Sequence, residues 1–388
     1  MNTSRKFLLR LVWSGIFFSF LLSFLNAQSI FSFKGEGESV LVGDAQMSSL
    51  GFSGVPGTVS SNNYGSIAFL QKTGIAITYS GIRLEMRDES GKNIMHYYGI
   101  PFINVATTLP RGFAIGFNLK KVIDFNADFV TNPDTIGGNQ YIEQFSKRGQ
   151  LSTVSFNLAK RMGSVGFGGG FNVLFGGSDE MWITNFSDTL FRDTRDSLNS
   201  TFFGHSYSLG VVFSYDILKI DFGYDFPVSC KRTTRSLSYL RKDTVEVNNN
   251  LEYPQLFTGN LNLQLGQDLR FAFATRYRPW ENFEIDEEKD DSYLNTFAYS
   301  VGMEYNLIRA YKKWKFPLRI GYYSKPWYFK DSYNKKVSEN GFTCGTSIPF
   351  LKKDGYLDLA FIYGVRNTSE LKEHFYNFRI GFNFYERW

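Results

Sequence analysis

The chain has 388 residues, with 42 Lys and Arg against 37 Asp and Glu, a formal charge of +5 and a mean hydropathy of −0.23. Three of the basic residues, Arg5, Lys6 and Arg10, fall in the first 27 positions, which hold no acid; the remaining 39 basic and 37 acidic residues leave +2, too weak a field for a nucleic-acid binder. Aromatic residues make up 18% of the chain, with 40 Phe and 23 Tyr, yet no run of 18 apolar residues follows the N-terminal segment, which excludes a later helical membrane span.

Residues 1–27 have the layout of a secretory signal peptide. A basic n-region is followed by an apolar stretch from Leu11 to Leu25, and Ala27 offers a small residue for cleavage. The apolar part is about 15 residues, short of the roughly 20 that a spanning helix needs, which argues against an uncleaved anchor. No Cys lies near the cleavage point, so no lipid-anchored terminus is expected. Residues 28–72 are rich in Gly and Ser and alternate weakly. They read as a plug inside whatever follows, with a disordered periplasmic tail as the alternative.

From residue 73 onward, apolar and polar residues alternate with period two, the mark of strands with one face in each environment. Tyr376, Phe378, Ile380, Phe382 and Phe384 share one face, and Asn377, Arg379, Gly381 and Asn383 the other. The pattern predicts about 14 strands: 73–86, 94–107, 112–126, 148–160, 164–176, 200–216, 218–229, 252–265, 268–280, 292–307, 313–324, 339–350, 355–366 and 372–388. A phase shift near Ser80-Gly81 reads as a bulge in the first strand, and Ile100-Pro101-Phe102-Ile103 alternates poorly in the second. Tight turns (Leu109–Gly112, Arg161–Gly163, Asp216-Ile217, Gly266-Gln267, Lys352–Gly355) take turns with long polar stretches at 127–147, 177–199, 230–251, 281–291 and 325–338. Short turns at one end and long loops at the other define an all-β transmembrane antiparallel barrel in the outer membrane, with its turns and both termini periplasmic. A soluble sandwich would have no reason to sort its loops by length.

No catalytic or metal constellation emerges, so no enzyme and no cofactor is expected. His96, His205 and His374 lack metal-ligand spacing, and Cys230 and Cys344 are too few for a disulfide framework. His205 and Ser206 are strand neighbours and point to opposite faces. The run from Asp286 to Asp291, like Asp188, Asp193 and Asp196, reads as solvated loop. Alternation turns Lys219, Asp221, Asp225, Arg270, Arg276, Arg278, Glu304, Arg319, Asp358 and Arg379 inward. They form either a charged lumen that orients a ligand's polar group or a set of ion pairs that fills a wet interior. The opposite face meets outer-membrane lipid. Phe382, Phe384 and Trp388 give an alternating aromatic end, similar to the terminal signal by which outer-membrane assembly machinery takes up barrels.

The arrangement resembles the long-chain fatty-acid transporter (FadL-like) family. Gly43-Asp44-Ala45-Gln46-Met47-Ser48-Ser49-Leu50-Gly51 looks like the opening of that family's plug. Asn63-Tyr64-Gly65-Ser66-Ile67-Ala68 is similar to its Asn-Pro-Ala-(Gly/Ser)-(Leu/Ile)-Ala segment, with Tyr64 in place of Pro and Gly65 in place of Ala. The resemblance implies a 14-stranded barrel that moves hydrophobic compounds past a gating plug. Asn62, Asn63 and Tyr64 carry polar groups suited to pairing with inward charges such as Arg276 or Arg319. The alternatives are a surface or protein-secretion accessory barrel that transports nothing, and, third, an outer-membrane hydrolase. A closed apolar pocket under the plug favours transport, and a lumen packed solid with paired charges favours a structural role.

Overall fold

The computed structural model describes residues 29, 32, 35–87, 91–188, 190–238, 244–308, 315–330, 334–350, 354–368 and 371–386. The leader expected at 1–27 and Trp388 lie outside the described residues. Fourteen wall strands follow residue 72. They are β1 (Thr73–Arg87), β2 (Lys92–Thr108), β3 (Phe113–Asp124), β4 (Asn139–Met162) and β5 (Val165–Phe186). Next come β6 (Thr194–Ser214), β7 (Leu218–Asp225, resuming as Val228–Ser238) and β8 (Thr244–Tyr253, resuming as Leu256–Leu265). The ring is completed by β9 (Leu269–Arg278), β10 (Thr296–Ile308), β11 (Lys315–Lys330), β12 (Lys336–Phe350), β13 (Gly355–Asn367) and β14 (Lys372–Glu386). Each pairs antiparallel with its sequence neighbour, and β1 pairs with β14 from Thr73–Glu386 to Arg87–Lys372, which closes the barrel. Pairing round the ring satisfies the backbone groups of the wall wherever neighbouring strands run together, as a backbone crossing lipid requires.

The faces follow the alternation. Phe378, Phe382 and Phe361 are exposed on the outer surface, whereas Arg379 and Asp358 are buried within. Such a surface is stable only in lipid, where a Lys or Arg at mid-depth costs about 2–4 kcal/mol. Two expectations need correction. Pairing of β1 with β14 is unbroken, so the first strand carries no bulge. The extra residue lies in β2: Thr78 faces Phe102 and Ser80 faces Gly99, so Ile100 and Pro101 together oppose Tyr79. The sequence misled because Ile82, Leu84 and Met86 are apolar yet point inward, where they join Phe52, Tyr97, Tyr323, Ile362 and Phe375.

The second correction concerns the long polar stretches, most of which are paired ribbon. The 127–147 stretch holds strands Ala127–Val130 and Asp134–Ile136 and the start of β4, while β5 and β6 pair out to Thr184–Thr194. β7 and β8 stay paired to Leu237–Thr244. Beyond the lipid belt the ribbons have only local aromatic clusters, such as Phe129, Phe145 and Trp182, and no sustained apolar alternation to betray a strand. The 279–295 segment is loop with two short strands, and it folds Trp280 and Tyr293 inward to stack on Tyr328, with Phe283 packed against Tyr293.

Candidate functional site

Residues 35–72 run inside the ring, and their contacts organise the lumen. Near the loop end, strand Glu38–Ser39 pairs with Asp124 and Ile123 of β3, and Val40 N donates to Val122 O at 3.0 Å. Helix α1 (Ala45–Ser49) is capped by Asp44, whose carboxylate accepts from Met47 N at 2.8 Å. The chain then crosses the lumen twice against the wall. Gly51 N donates to Thr343 Oγ1 at 3.0 Å, and Leu50 lies on Gly302 and Gly321 of β10 and β11. On the opposite side Tyr64 and Gly65 lie on Gly166 and Gly168 of β5 and Gly210 of β6. A Cβ on Gly65 would meet Gly210 O at 2.8 Å and Gly166 O at 3.0 Å, so backbone approach demands glycine where the related motif carries Ala. A turn of 3-10 helix at Ser66–Phe69 leads into β1.

Four of the ten inward charges, Arg270, Glu304, Arg319 and Asp358, share ion pairs, and others hold neutral groups. Arg319 donates to Glu304 at 2.7 Å and lies 3.5 Å from Asp358, and Arg270 reaches Glu304 at 3.3 Å. Arg379 donates to Gly43 O at 2.9 Å and Ser48 Oγ at 2.8 Å. Asp221 accepts from Asn63 Nδ2 at 3.2 Å and Asn260 Nδ2 at 2.7 Å. Lys219 donates to Pro56 O at 3.2 Å. Asn63 thus meets an inward charge, Asp221, but none of Asn62, Asn63 and Tyr64 meets Arg276 or Arg319. Tyr64 hydroxyl donates to Asn172 Oδ1 at 3.2 Å and accepts from Lys120 at 3.3 Å, and Asn62 donates to Val42 O at 2.7 Å. Arg276 reaches the segment through Val42 O at 3.2 Å, and Arg319 holds wall acids.

Sequence reasoning missed a buried network at the loop end. Arg366 of β13 joins Glu38, Glu339 at 2.9 Å and Glu373 at 3.3 Å. Lys325 of β11 reaches Glu339 at 3.0 Å and Glu38 at 3.4 Å. Glu373 sits at the start of its strand, before the apolar alternation is established, and Arg366 keeps phase with its strand but gives no local sign of partners so distant in sequence. Arg232 pairs with Glu36 at 3.1 Å, and Tyr328 hydroxyl donates to Gly37 O.

Two cavities flank residues 38–42. The first, about 150 Å³, is lined by Val42, Tyr64, Val122, Leu174, Tyr253, Trp280 and Trp327, with Lys120, Arg276, Arg278 and Asp225 at its polar wall. Lys120, Arg276 and Arg278 each lack an ion pair within 4 Å among the described residues, so three cations face one carboxylate. The second, about 550 Å³, lies across Val40 and Leu41 and crosses the wall. Its lining includes inward Phe52, Leu84, Tyr97 and Phe375 together with Ile103 and Leu119 of the membrane-facing surface. The reason is a parting of strands. β2 and β3 pair from Phe102–Lys120 to Thr108–Ala114; above that level, β3 turns its edge to the inner strand and carries its own register shift at Val122.

The closed 14-stranded antiparallel barrel has the fold of FadL-like barrels. Within that class the chain belongs to the BamG family, whose sequence profile matches residues 5–388. A Pseudomonas aeruginosa FadL homologue superposes with a TM-score of 0.65 at 10% identity, covering 90% of this chain and 99% of that one. The Pseudomonas putida toluene transporter TodX gives 0.63 at 15% identity, over 92% and 100%. The Ralstonia pickettii toluene transporter TbuX gives 0.59 at 11% identity, over 92% and 100%. No curated protein matches the sequence.

Proposed function

We propose that this protein is an outer-membrane carrier of hydrophobic small molecules. In this reading a ligand enters the lumen from the loop end and leaves sideways between β2 and β3, with residues 28–72 acting as the plug. One observation carries it: the cavity of about 550 Å³ whose lining passes from the lumen to the lipid face. Its volume falls in the usual range for small-molecule sites. The uncompensated cations of the inner cavity suit an apolar body with an anionic end, so a fatty acid fits better than a neutral aromatic. The toluene transport named for two neighbours supports the broader class, hydrophobic compounds. Binding of a medium-chain fatty acid and of toluene to purified protein tests this through the fluorescence of Trp280 and Trp327, which line the inner cavity. The fatty acid should saturate, Leu84→Trp should abolish binding by filling the wall cavity, and Arg276→Ala with Arg278→Ala should weaken the fatty acid alone. Absence of saturable binding, or binding indifferent to Leu84→Trp, overturns the reading.

A second reading, an accessory barrel for protein secretion, is favoured by the ribbons. β4, β5 and β6 run 24, 22 and 21 residues, about twice the 9–11 that cross a bilayer. The excess stands outside the membrane as a sheet with exposed Val130, Ile136, Leu190 and Val245. Trimming residues 131–138 and 190–193 should leave ligand binding intact if the barrel is a carrier.

A further inference from the structure

The wall cavity reaches the membrane side at Ile103 and Leu119, which face each other across β2 and β3. The next outward pairs down these strands, Val105 with Phe117 and Thr107 with Ile115, belong to a separate depression of about 780 Å³ on the outer surface itself. It continues over β4 and β5 past Phe156, Leu158 and Phe171, and Gly169 lies at its floor. Gly169 pairs with Leu158 and Leu209, whose side chains are 55% and 53% exposed, so it stands between them in the outward row and leaves a gap one side chain wide.

Gly169 is not glycine for the reason its neighbours are. Gly166, Gly168 and Gly170 face inward, where an added Cβ would come within 2.6, 2.3 and 2.7 Å of atoms of the inner segment. A Cβ on Gly169 would meet Ser208 O at 3.6 Å and Leu209 Cδ2 at 3.8 Å, ordinary contacts, and its backbone is not left-handed. Nothing inside the barrel therefore excludes a side chain there. A cation stands at the short-turn end of the same gap. Lys160 follows Leu158 on the outward side of β4 and pairs with Phe113 and Phe167. Its ammonium lies 4.8 Å from the centre of the Phe113 ring and has no ion pair among the described residues. Lys160 is four residues from Phe156, about 13 Å along a strand.

We propose that this trough is a second binding site, outside the barrel, that receives the departing ligand: an unbranched apolar chain laid over Gly169 with its carboxylate on Lys160. The proposal rests on the carrier reading and adds a station to it. Lipid tails are as apolar as the trough, so contact with the chain alone gives little preference over bulk membrane. The charge pair decides, because a carboxylate leaving the wall cavity into hydrocarbon is strongly disfavoured unless a cation meets it. A neutral aromatic gains nothing from Lys160 and disperses into the membrane.

The test uses the full protein in phosphatidylcholine nanodiscs and a medium-chain fatty acid carrying a diazirine at its chain end, with photolabelled residues mapped by mass spectrometry. Phe361 and Phe378, exposed to the same lipid elsewhere on the wall, report fatty acid merely dissolved in the bilayer. Labelling at Phe117, Phe156 and Phe171 should exceed theirs about ten-fold, a modest preference in free energy. Gly169→Phe should abolish that excess by filling the gap, Lys160→Gln should reduce it several-fold, and the methyl ester of the probe should show none in the parent. If Gly169→Phe fails to assemble, the ester comparison decides alone. Equal labelling at both places, an excess that survives Gly169→Phe, or an excess shared by the ester overturns the trough. The response of Trp280 and Trp327 in the parent is a separate readout: its absence overturns the carrier reading, whereas its presence with equal labelling overturns the trough alone.

Discussion

The inner segment is held in two different ways along its length. From residue 36 to residue 39 it is held by charge: Glu36 on Arg232, and Glu38 on Arg366 and Lys325. From residue 50 to residue 66 it is held by fit, with its backbone laid on Gly302, Gly321, Gly168 and Gly210. Cavities border the charged part on both sides, and Asn63, Tyr64 and Leu50 press directly on the wall. Charge acts over distance and tolerates a shift of an ångström, whereas backbone packed on glycine does not. The difference marks the charged part as the piece able to move and the fitted part as its anchor.

The largest effect should come from removing both parts. Deletion of residues 35–72 should convert a poorly conducting barrel into one with a large, steady single-channel conductance, because fourteen strands enclose more space than side chains fill. An unchanged conductance would mean that something other than this segment seals the lumen.

Arg366→Met should be the most damaging single change in the charged part. It leaves Glu373 with no ion pair among the described residues and Glu38 and Glu339 to share Lys325, and should cost about 3–5 kcal/mol in urea unfolding followed by gel mobility. Glu38→Gln removes one acid from a network rich in acids, so it should cost less and loosen the strand from β3, read as faster hydrogen exchange at Val40. Gly65→Ala probes the fitted part. Its methyl would press on two backbone carbonyls and should cost about 1–3 kcal/mol, with no change in exchange at Val40. If Gly65→Ala also frees Val40, the two parts are one body and the comparison fails.

The smallest effect concerns an exposed counterpart of the charged part. Asp286 accepts from Asn249 Nδ2 at 2.6 Å and Asn250 N at 2.7 Å, and these bonds hold its carboxyl below the usual range. A group depressed on folding stabilises above its unfolded pKa of about 4 and loses that contribution as pH falls through the folded value. Protection of the Asn250 amide, taken relative to its intrinsic exchange rate at each pH, should therefore fall in that acidic window and stay flat between pH 6 and 8, while Asp286→Asn should remove the dependence.

Much of this was legible from sequence, for physical reasons that also mark where legibility stopped. A lipid face and a wet face force period-two alternation, so all fourteen strands could be placed, and Glu304, Arg319 and Arg379 could be turned inward. The same rule failed where its premise failed. Ile82 and Leu84 face an apolar cavity, so an inward run looked like a change of phase. The ribbons lie beyond the lipid and carry no sustained apolar face, so they looked like loop. The loop-end network is assembled from residues more than 300 positions apart, such as Glu38 and Arg366, and nothing local announces such a pairing. The glycines of β5 were visible, but their purpose needed the partner: Tyr64 O would lie 2.3 Å from a Cβ on Gly168.

The extra residue at Ile100-Pro101 has a consequence beyond its own turn of chain. Residues come whole, so the parting of β2 from β3 is set by a count and cannot be narrowed by degrees. Excising one residue there would re-seat the upper half of β2 by one place and exchange its two sides. Tyr97, now 5% exposed, would be turned out to lipid, and Tyr98, now 43% exposed, would be pushed into the cavity. The doorway and the furnishing of the room behind it are therefore written by a single integer, and a lineage that closes one must refurnish the other.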